Sequence, residues 1–373
     1  MLVASCLVAT GVFGIFIVTI VYPLSLLLRA KGVFAVSPPD PIEWPSVTIV
    51  TAARNAAALL PAKLNNFSAL HYPPERLTLL IASDASTDAT REVVESAADP
   101  RIRLIEQEER RGKAAVLNLA VEQTDTELLL FSDADALLTP DAVRKLARHF
   151  ANPQVGGVCG QRLAAHSGAP LRAAQQTYIN LDSQLRRWES MHGCISSNDG
   201  KIHMIRRSLF EPIPRDVSDD LYTGLSVVAQ GFRFLFEPDA VAEVNVPSRD
   251  ARHEIQRRRR IVLLSLTGIF RMRCLLNPLR FGWFAAGLWI NKIGRRLLPF
   301  FLLALAAGIF RMLAPLPDVL AALLVLGVGV LLISQHAQYA LAGFAGTAWG
   351  VIDFLLGRRM NSWEPKKTSG DTP

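Results

Sequence analysis

Asp133 and Asp135 stand one residue apart in LLLFSDADALL, where an apolar run ends. Carboxylates there are costly unless something needs them. Three uses fit the pattern. An Asp-Ala-Asp turn can meet one Mg2+ or Mn2+ and the diphosphate behind it, because hard cations take carboxylate oxygens and keep substrate phosphates as further ligands. An aspartate in such a turn can also be a phosphate-transfer nucleophile. The third use is ordinary solvation of a loop.

Four other groups have types and spacing that can do chemistry. Asp84 and Asp88, in SDASTD, can accept hydrogen bonds from a base imide or a ribose hydroxyl. Asp88 or Thr87 can equally cap a helix. Lys113 follows Arg110, Arg111 and Gly112 in RRGKAAVLN, and a basic turn before a helix suits phosphate binding. It is not a Walker loop, since the GxxxxGK[ST] frame is absent. Asp219 and Asp220 open a helix behind Ser218 in VSDDLYTGL. Adjacent carboxylates raise each other's pKa, which suits a general base; the same charges also favour a helix N-terminus. Gln256 to Arg260, QRRRR, can grip phosphates through the guanidinium fork or anchor the chain to anionic headgroups.

These groups need a frame. VTIVTA from Val47, LTLLIAS from Leu77, IRLIEQ, ELLLFS and VGGVCGQ read as strands. Helical stretches separate them: one running to about Leu70, one through Glu92, Val93 and Val94, one over residues 113–122, and one in TPDAVRKLARHF with Thr139 as cap. This alternation predicts an α/β fold with a mostly parallel sheet covered on both faces. Ligands of such sheets bind beyond the carboxyl ends of the strands. SDASTD and SDAD each follow a strand, so both fall on that edge.

The 373 residues are half hydrophobic, with 40 Lys+Arg against 33 Asp+Glu, a net charge of +7, a pI near 9.5 and a mean hydropathy of +0.25. Basic and apolar together fit an anionic membrane surface. The aromatic residues do not interleave with the basic ones in any binding-platform pattern, so no nucleic-acid partner is expected. Cys6, Cys159, Cys194 and Cys274 are far apart and read as unpaired, with no metal role. Residues 4–28 are apolar and uncharged, enough for the roughly 20 residues a span needs. Arg29 and Lys31 follow and keep the next segment cytoplasmic. Residues 281–290 suggest an interfacial stretch, 297–313 and 319–333 suggest spans, and 341–356 a re-entrant or interfacial segment. Arg358, Arg359, Lys366 and Lys367 hold that end on the cytoplasmic side. The predicted organisation is a transmembrane helix over 1–31, a proline-rich linker over 32–45 and a sheet domain over 46–250. A basic interfacial segment over 251–294, transmembrane or re-entrant helices over 295–357 and a polar tail over 358–373 complete it.

In this order and spacing the motifs resemble the membrane-bound family 2 glycosyltransferases, from about residue 46 to 260. TAARN, ending at Asn55, looks like the P-A-x-N opening. SDASTD looks like D-D-G-S-T-D, with Ser83 and Ala85 at its first Asp and its Gly. GKAAVLN resembles G-K-x-x-A-L-N, SDAD the metal and diphosphate DxD, and GKIHMIRRSLF the acceptor-side segment that ends in R-R. SDDL resembles the motif whose last Asp is the catalytic base, here Asp220. QRRRR resembles Q-x-x-R-W through Gln256 and Arg259, with Arg260 at the tryptophan.

The resemblance implies a GT-A (Rossmann-like) domain flanked by transmembrane helices. It implies an inverting transfer from a nucleotide-diphosphate sugar, UDP-linked by preference, in cell-envelope or exopolysaccharide glycan synthesis. The implied acceptor is a lipid-linked or other saccharide at the cytoplasmic leaflet of a bacterial-type inner membrane. Asn55, Asp84, Lys113, Asp133 and Asp135 would bind the nucleotide sugar, and Asp135 the Mg2+ or Mn2+. Asp219, Gln256 and Arg259 would serve the acceptor and diphosphate. Arg260 and the few C-terminal spans lean away from the alternative of a processive polysaccharide synthase. Ser83 and Arg260 are what a non-catalytic membrane scaffold would show first. A haloacid-dehalogenase-type phosphatase would use Asp133 as nucleophile, but Leu137 stands where that chemistry wants Thr or Val.

Overall fold

The computed structural model describes residues 1–30, 38–164, 171–244 and 251–359. Lys31, the front of the proline-rich linker, the domain boundary expected near 250, and Lys366 and Lys367 lie outside them. Two compact units form, one built on a sheet and one on helices.

In the sheet unit, β1 (Val47–Ala53) is buried at all seven positions, β2 (Leu77–Asp84) at all but one, and β4 (Leu128–Phe131) at all four, while β3 (Ile102–Gln107) is only partly buried. Unbroken leucine and β-branched runs suit strands covered on both faces. β5 (Ala136–Leu138), β6 (Val155–Ala164), β7 (His203–Arg206) and β8 (Arg233–Val244) complete eight strands in the order β3-β2-β1-β4-β7-β6-β8-β5. All five expected strands form. β5, β7 and β8 carry no expectation from sequence.

The sheet is parallel from β3 to β4 and mixed beyond. β7 runs antiparallel to both β4 and β6, and β5 antiparallel to β8. The direction of β7 matters for function. His203, its first residue, pairs with Phe131, the last of β4. Residues 199–202 therefore arrive at the carboxyl edge, beside the turn that carries SDAD.

Helices Leu60–Ser68, Thr90–Glu95, Lys113–Glu122, Ala142–Ala147 and Asp219–Ala229 belong to the same unit. Asp88 caps the first turn of Thr90–Glu95 as expected, its carboxylate accepting from Thr90 N–H at 3.2 Å, although Ala89 holds the N-cap position. The other cap differs: Asp141 holds the N-cap position of Ala142–Ala147, with no side-chain cap bond. Thr139 is drawn instead to β8, where its N–H donates to Val241 O at 3.0 Å and so prolongs the β5–β8 pairing. The far end of the linker docks on the sheet unit: Trp44 meets Tyr72 edge-on at 5.4 Å, and Arg144 lies over Trp44.

In the helical unit, Leu2–Phe16 continues through a π-helical stretch, Ile17–Val21, into Tyr22–Ala30. Pro278–Gly287, kinked at Gly282, continues through Leu288–Gly294 into Arg295–Leu313. The segments 281–290 and 297–313, expected as an interfacial stretch and a span, thus lie in one helical run joined by the π-helical Leu288–Gly294. These two runs, Leu2–Ala30 and Pro278–Leu313, are long and apolar enough to cross a membrane by length and composition. Most of Leu171–Met191, with Ala251–Arg271, Pro317–Ile333 and Gln335–Leu355, also belongs to this unit.

Glycines let backbones touch here. A Cβ on Gly346 would lie 2.5 Å from Ile255 O, and one on Gly350 2.7 Å from Arg259 O. Overpacking such a contact costs about 1–3 kcal/mol. Gly346→Val is thus expected to lower the thermal unfolding midpoint. Gly343→Val, with nothing within 4 Å of its added carbon, is expected to leave it near the parent value.

Candidate active site

The loops after β1 and β2 are tied to each other. Asn55 adopts φ 47° and Ala85 φ 52°, left-handed positions that asparagine tolerates better than alanine. Asn55 Oδ1 accepts from Thr87 N–H at 2.8 Å, and Asn55 N–H donates to Ser86 Oγ at 3.1 Å. Asp88 accepts from Ala57 N–H at 3.0 Å and from the Thr90 hydroxyl. Arg54 donates to the Asp84 carbonyl at 2.7 Å. The fully buried Asp84 carboxylate accepts from Arg111 N–H at 2.8 Å and Gly112 N–H at 3.1 Å. Asp84 thereby holds the basic turn that the sequence marked as a phosphate binder. Gly112 takes φ 89° in that turn, and helix Lys113–Glu122 starts immediately after it.

Lys113 then reaches across the carboxyl edge. Its Nζ lies 2.9 Å from Asp133 Oδ1 and 2.7 Å from Asp219 Oδ2. One ammonium joins the turn after β4 to the head of helix Asp219–Ala229. The acidic groups that the sequence separates by 86 positions thus share one cation. Burial disfavours the Lys113 charge, but Asp133 and Asp219 outweigh it and raise its pKa. Burial would likewise raise the Asp133 carboxyl, yet Lys113 and Lys201 hold it well below the usual carboxylate range.

Asp220 behaves differently. Its pKa is raised, first by burial and then by the charge of Asp219, against hydrogen bonds from Ser218 and Leu221 N–H. Ser218 is the N-cap residue, as expected, but its hydroxyl donates to the Asp220 carboxylate rather than to the helix backbone. Leu221 N–H donates to the same oxygen at 2.7 Å. Asn198 Nδ2 donates to the Asp220 carbonyl at 3.0 Å, and Gly200 leaves room beside the side chain. A carboxylate whose pKa is raised in this way suits a proton acceptor.

Two lysines that sequence reasoning passed over complete the cluster. Lys201 Nζ lies 2.8 Å from Asp133 Oδ2 and also contacts Asp135 Oδ1. Lys63 is buried and donates to Ser132 Oγ and Ala136 O, each at 2.7 Å, so it clamps the SDAD turn at both ends. A signal for Lys63 was present. It sits on the stripe Leu60, Lys63, Leu64 and Phe67, all buried, where helical spacing calls for an apolar residue. Burial pushes its pKa down to about 7, although Asp133 and Asp135 pull it up. Between pH 7 and the ordinary value of 10.5 the folded chain therefore binds fewer protons than the unfolded one. The Lys63 contribution to stability rises with pH across that window. Lys63→Met is expected to abolish this rise, up to about 1.4 kcal/mol per pH unit, in denaturation midpoints measured from pH 7 to 10.

The Asp133–Asp135 pair fits a hard divalent cation. Its donors are carboxylate oxygens, and an ammonium is already drawn to them. Among the described residues no group of three or more acidic, histidine or cysteine side chains can hold a metal alone. The remaining ligands would be substrate phosphate and water, the usual arrangement for Mg2+.

Gln256 and Arg259 lie on helix Ala251–Arg271 in the helical unit. Acids of that unit pair with three of its arginines. Glu254, fully buried, binds Arg257 at 2.9 Å, Arg258 at 2.6 Å and the Tyr339 hydroxyl at 3.1 Å. Asp353, equally buried, pairs with Arg259 and Arg358, and Arg259 stacks over Trp349 at 4.5 Å.

Comparison with known proteins finds similar sequences and a similar fold. Residues 48–213 match the family described as Glycosyl transferase family 2. An N-acetylglucosaminyltransferase of Rhizobium sp. (strain N33) is 28% identical over 224 residues, which cover 55% of this chain and 50% of that protein. A poly-beta-1,6-N-acetyl-D-glucosamine synthase of Staphylococcus aureus (strain COL) is 24% identical over 212 residues, covering 55% and 51%. The chain thus spans about half the length of the curated relatives it matches. Among solved structures, a mannosyltransferase from Pyrobaculum calidifontis in complex with GDP-Man and Mn2+ is similar at TM-score 0.74 and 26% identity. That match covers 95% of this chain and 99% of the other.

Proposed function

Because this chain carries a glycosyl transferase family 2 domain with a GT-A fold, we propose that it moves a sugar, with inversion, from a nucleoside-diphosphate sugar to a saccharide or lipid-linked acceptor. The observation that carries this is the Lys113 bridge, which brings the Asp133 turn and the Asp219–Asp220 pair to one sheet edge.

The nucleoside lies against the tied loops after β1 and β2, shaped by Asn55 and by the turn that Asp84 holds. The diphosphate meets the positive charge of Lys113. Asp135, with Asp133, would hold Mg2+ or Mn2+, which when bound supplies Lewis-acid stabilisation of the departing diphosphate. Asp220 takes the proton of the acceptor hydroxyl as that oxygen attacks the anomeric carbon. Its raised pKa makes it a better base than an ordinary carboxylate. Asp219 pairs with Lys113 and keeps the helix head in place. The diphosphate leaves without protonation, so one carboxylate base suffices where a glycosidase needs two carboxyl groups. Gln256 and Arg259 belong to the helical unit. The runs Leu2–Ala30 and Pro278–Leu313 support a membrane setting, with Arg29 favouring a cytoplasmic site.

The donor is the finer question. The family resemblance favours a UDP-sugar, whereas the likeness along nearly the whole chain is to a protein that binds GDP-Man. The test is nucleoside-diphosphate release by the purified protein from N-acetylglucosamine and mannose donors, with Mn2+, with Mg2+ and with chelator. Release from one donor, abolished by chelator and by Asp135→Ala, is the expected result. Absence of release from every donor, with membrane extract as acceptor source, would favour a scaffold role instead.

A further inference from the structure

Lys201 touches both aspartates of the pair, and the proposed transfer gives it no role. It follows Gly200 on the segment that brings β7 to the carboxyl edge. Its backbone N–H is fixed by Asp199 Oδ1 at 3.1 Å. Its ammonium sits at the Asp133–Asp135 pair, 2.8 Å from Asp133 Oδ2 and in contact with Asp135 Oδ1. The side chains involved keep between 13 and 27% of their exposure, so these charges are only partly screened by water. Asp133 is held at both oxygens, by Lys113 on one side and Lys201 on the other.

A divalent cation between these two aspartates needs the oxygens that Lys201 holds. The ammonium and the metal cannot share that gap. If the metal arrived alone, the carboxylates of Asp133, Asp135 and Asp219 would face the ammoniums of Lys113 and Lys201 and two further positive charges, an excess that a partly buried site opposes. A diphosphate arriving with the metal removes the excess. It also offers the displaced ammonium, at the end of its flexible stem, a new anionic partner.

We propose that Lys201 is a resident counter-ion of the Asp133–Asp135 pair which a divalent cation must displace, so that metal binds well only together with a nucleoside diphosphate. This rests on the reading of the pair as the metal and donor site. Lys201 then prevents idle metal loading of the empty enzyme and joins the diphosphate contacts once the donor is in place.

The experiment titrates the full-length purified protein with Mn2+ and reads free Mn2+ by electron paramagnetic resonance, without sugar transfer. Parent, Lys201→Gln and Lys201→Arg are compared, each alone and with UDP or GDP. In the parent, nucleotide is expected to tighten Mn2+ binding by about tenfold or more. Lys201→Gln is expected to bind Mn2+ alone about tenfold more tightly than the parent, with most of the nucleotide effect gone. Lys201→Arg, which keeps the charge, is expected to follow the parent. Binding by Lys201→Gln no tighter than the parent, in protein whose circular dichroism shows it folded, overturns the inference. So does a parent whose Mn2+ affinity ignores nucleotide, a measurement that needs no variant. If neither parent nor variants bind Mn2+ even with nucleotide, the metal reading of the pair falls too.

Discussion

Asp220→Asn is expected to lower the rate of transfer by about 10²–10⁴ while leaving donor binding near the parent value. The substitution is nearly isosteric. Asparagine Oδ1 can still accept from Leu221 N–H and the Ser218 hydroxyl, the two bonds that fix the side chain. What disappears is the basicity that burial and Asp219 build up. Donor affinity, measured by calorimetry with a non-transferring acceptor mixture, separates this outcome from a collapsed site. Full activity in Asp220→Asn would place the base elsewhere. The same group fixes the acid side of the pH profile. A raised pKa means the base is lost to protonation at higher pH than an ordinary carboxylate, so activity falls earlier on acidification. Asp219→Asn removes one of the charges that raise it. Its acid limb is expected to move to lower pH, even as its maximal rate drops through the loss of the Lys113 contact.

The parts of the fold that sequence makes legible are those written in contiguous residues. β1, β2 and β4 are unbroken apolar runs, and helix Lys113–Glu122 begins at the residue where a glycine at φ 89° permits it. β8 was not legible because Pro238 and Asp239 interrupt its apolar pattern. The structure absorbs them as an irregularity, pairing Gly160 with Glu237 but Gln161 with Val241. β7 is only four residues long and reads as a motif rather than a strand. The same division holds in the site. The carboxylates were visible, because two acids after an apolar run demand a reason. Their cations were not, except Lys113. Lys201 meets Asp135 across 66 positions of sequence, a contact that only the antiparallel course of β7 creates. The basic run at Gln256 to Arg260 is conspicuous in sequence, but its partners are not: Glu254 in the same helix and Asp353 far along the chain engage Arg257, Arg258 and Arg259.

Lys113→Met is expected to have the other large effect, on both stability and activity. In the parent its ammonium is bonded to Asp133 at 2.9 Å and Asp219 at 2.7 Å. Methionine fills the stem's volume but leaves both carboxylates facing the gap. Removing one partner of a buried ion pair costs about 3–5 kcal/mol, and Lys201, which still holds Asp133, reduces that here to about 2–3 kcal/mol. For catalysis, a preorganised positive charge at the departing diphosphate is missing, a loss of about 10²–10³ in kcat/KM. The two effects can be separated. In the double variant Lys113→Met/Asp219→Asn one of the stranded charges is neutralised, so stability should recover by more than the single effects predict. Activity should not recover, because the diphosphate still lacks its cation. Lys113→Arg should keep most of the stability through its paired donors, but misplace charge at the phosphate, since the planar fork is longer than an ammonium. Recovery of both stability and rate in the double variant would mean that Lys113 acts only as a strut between two acidic segments. Recovery of stability alone assigns it the diphosphate.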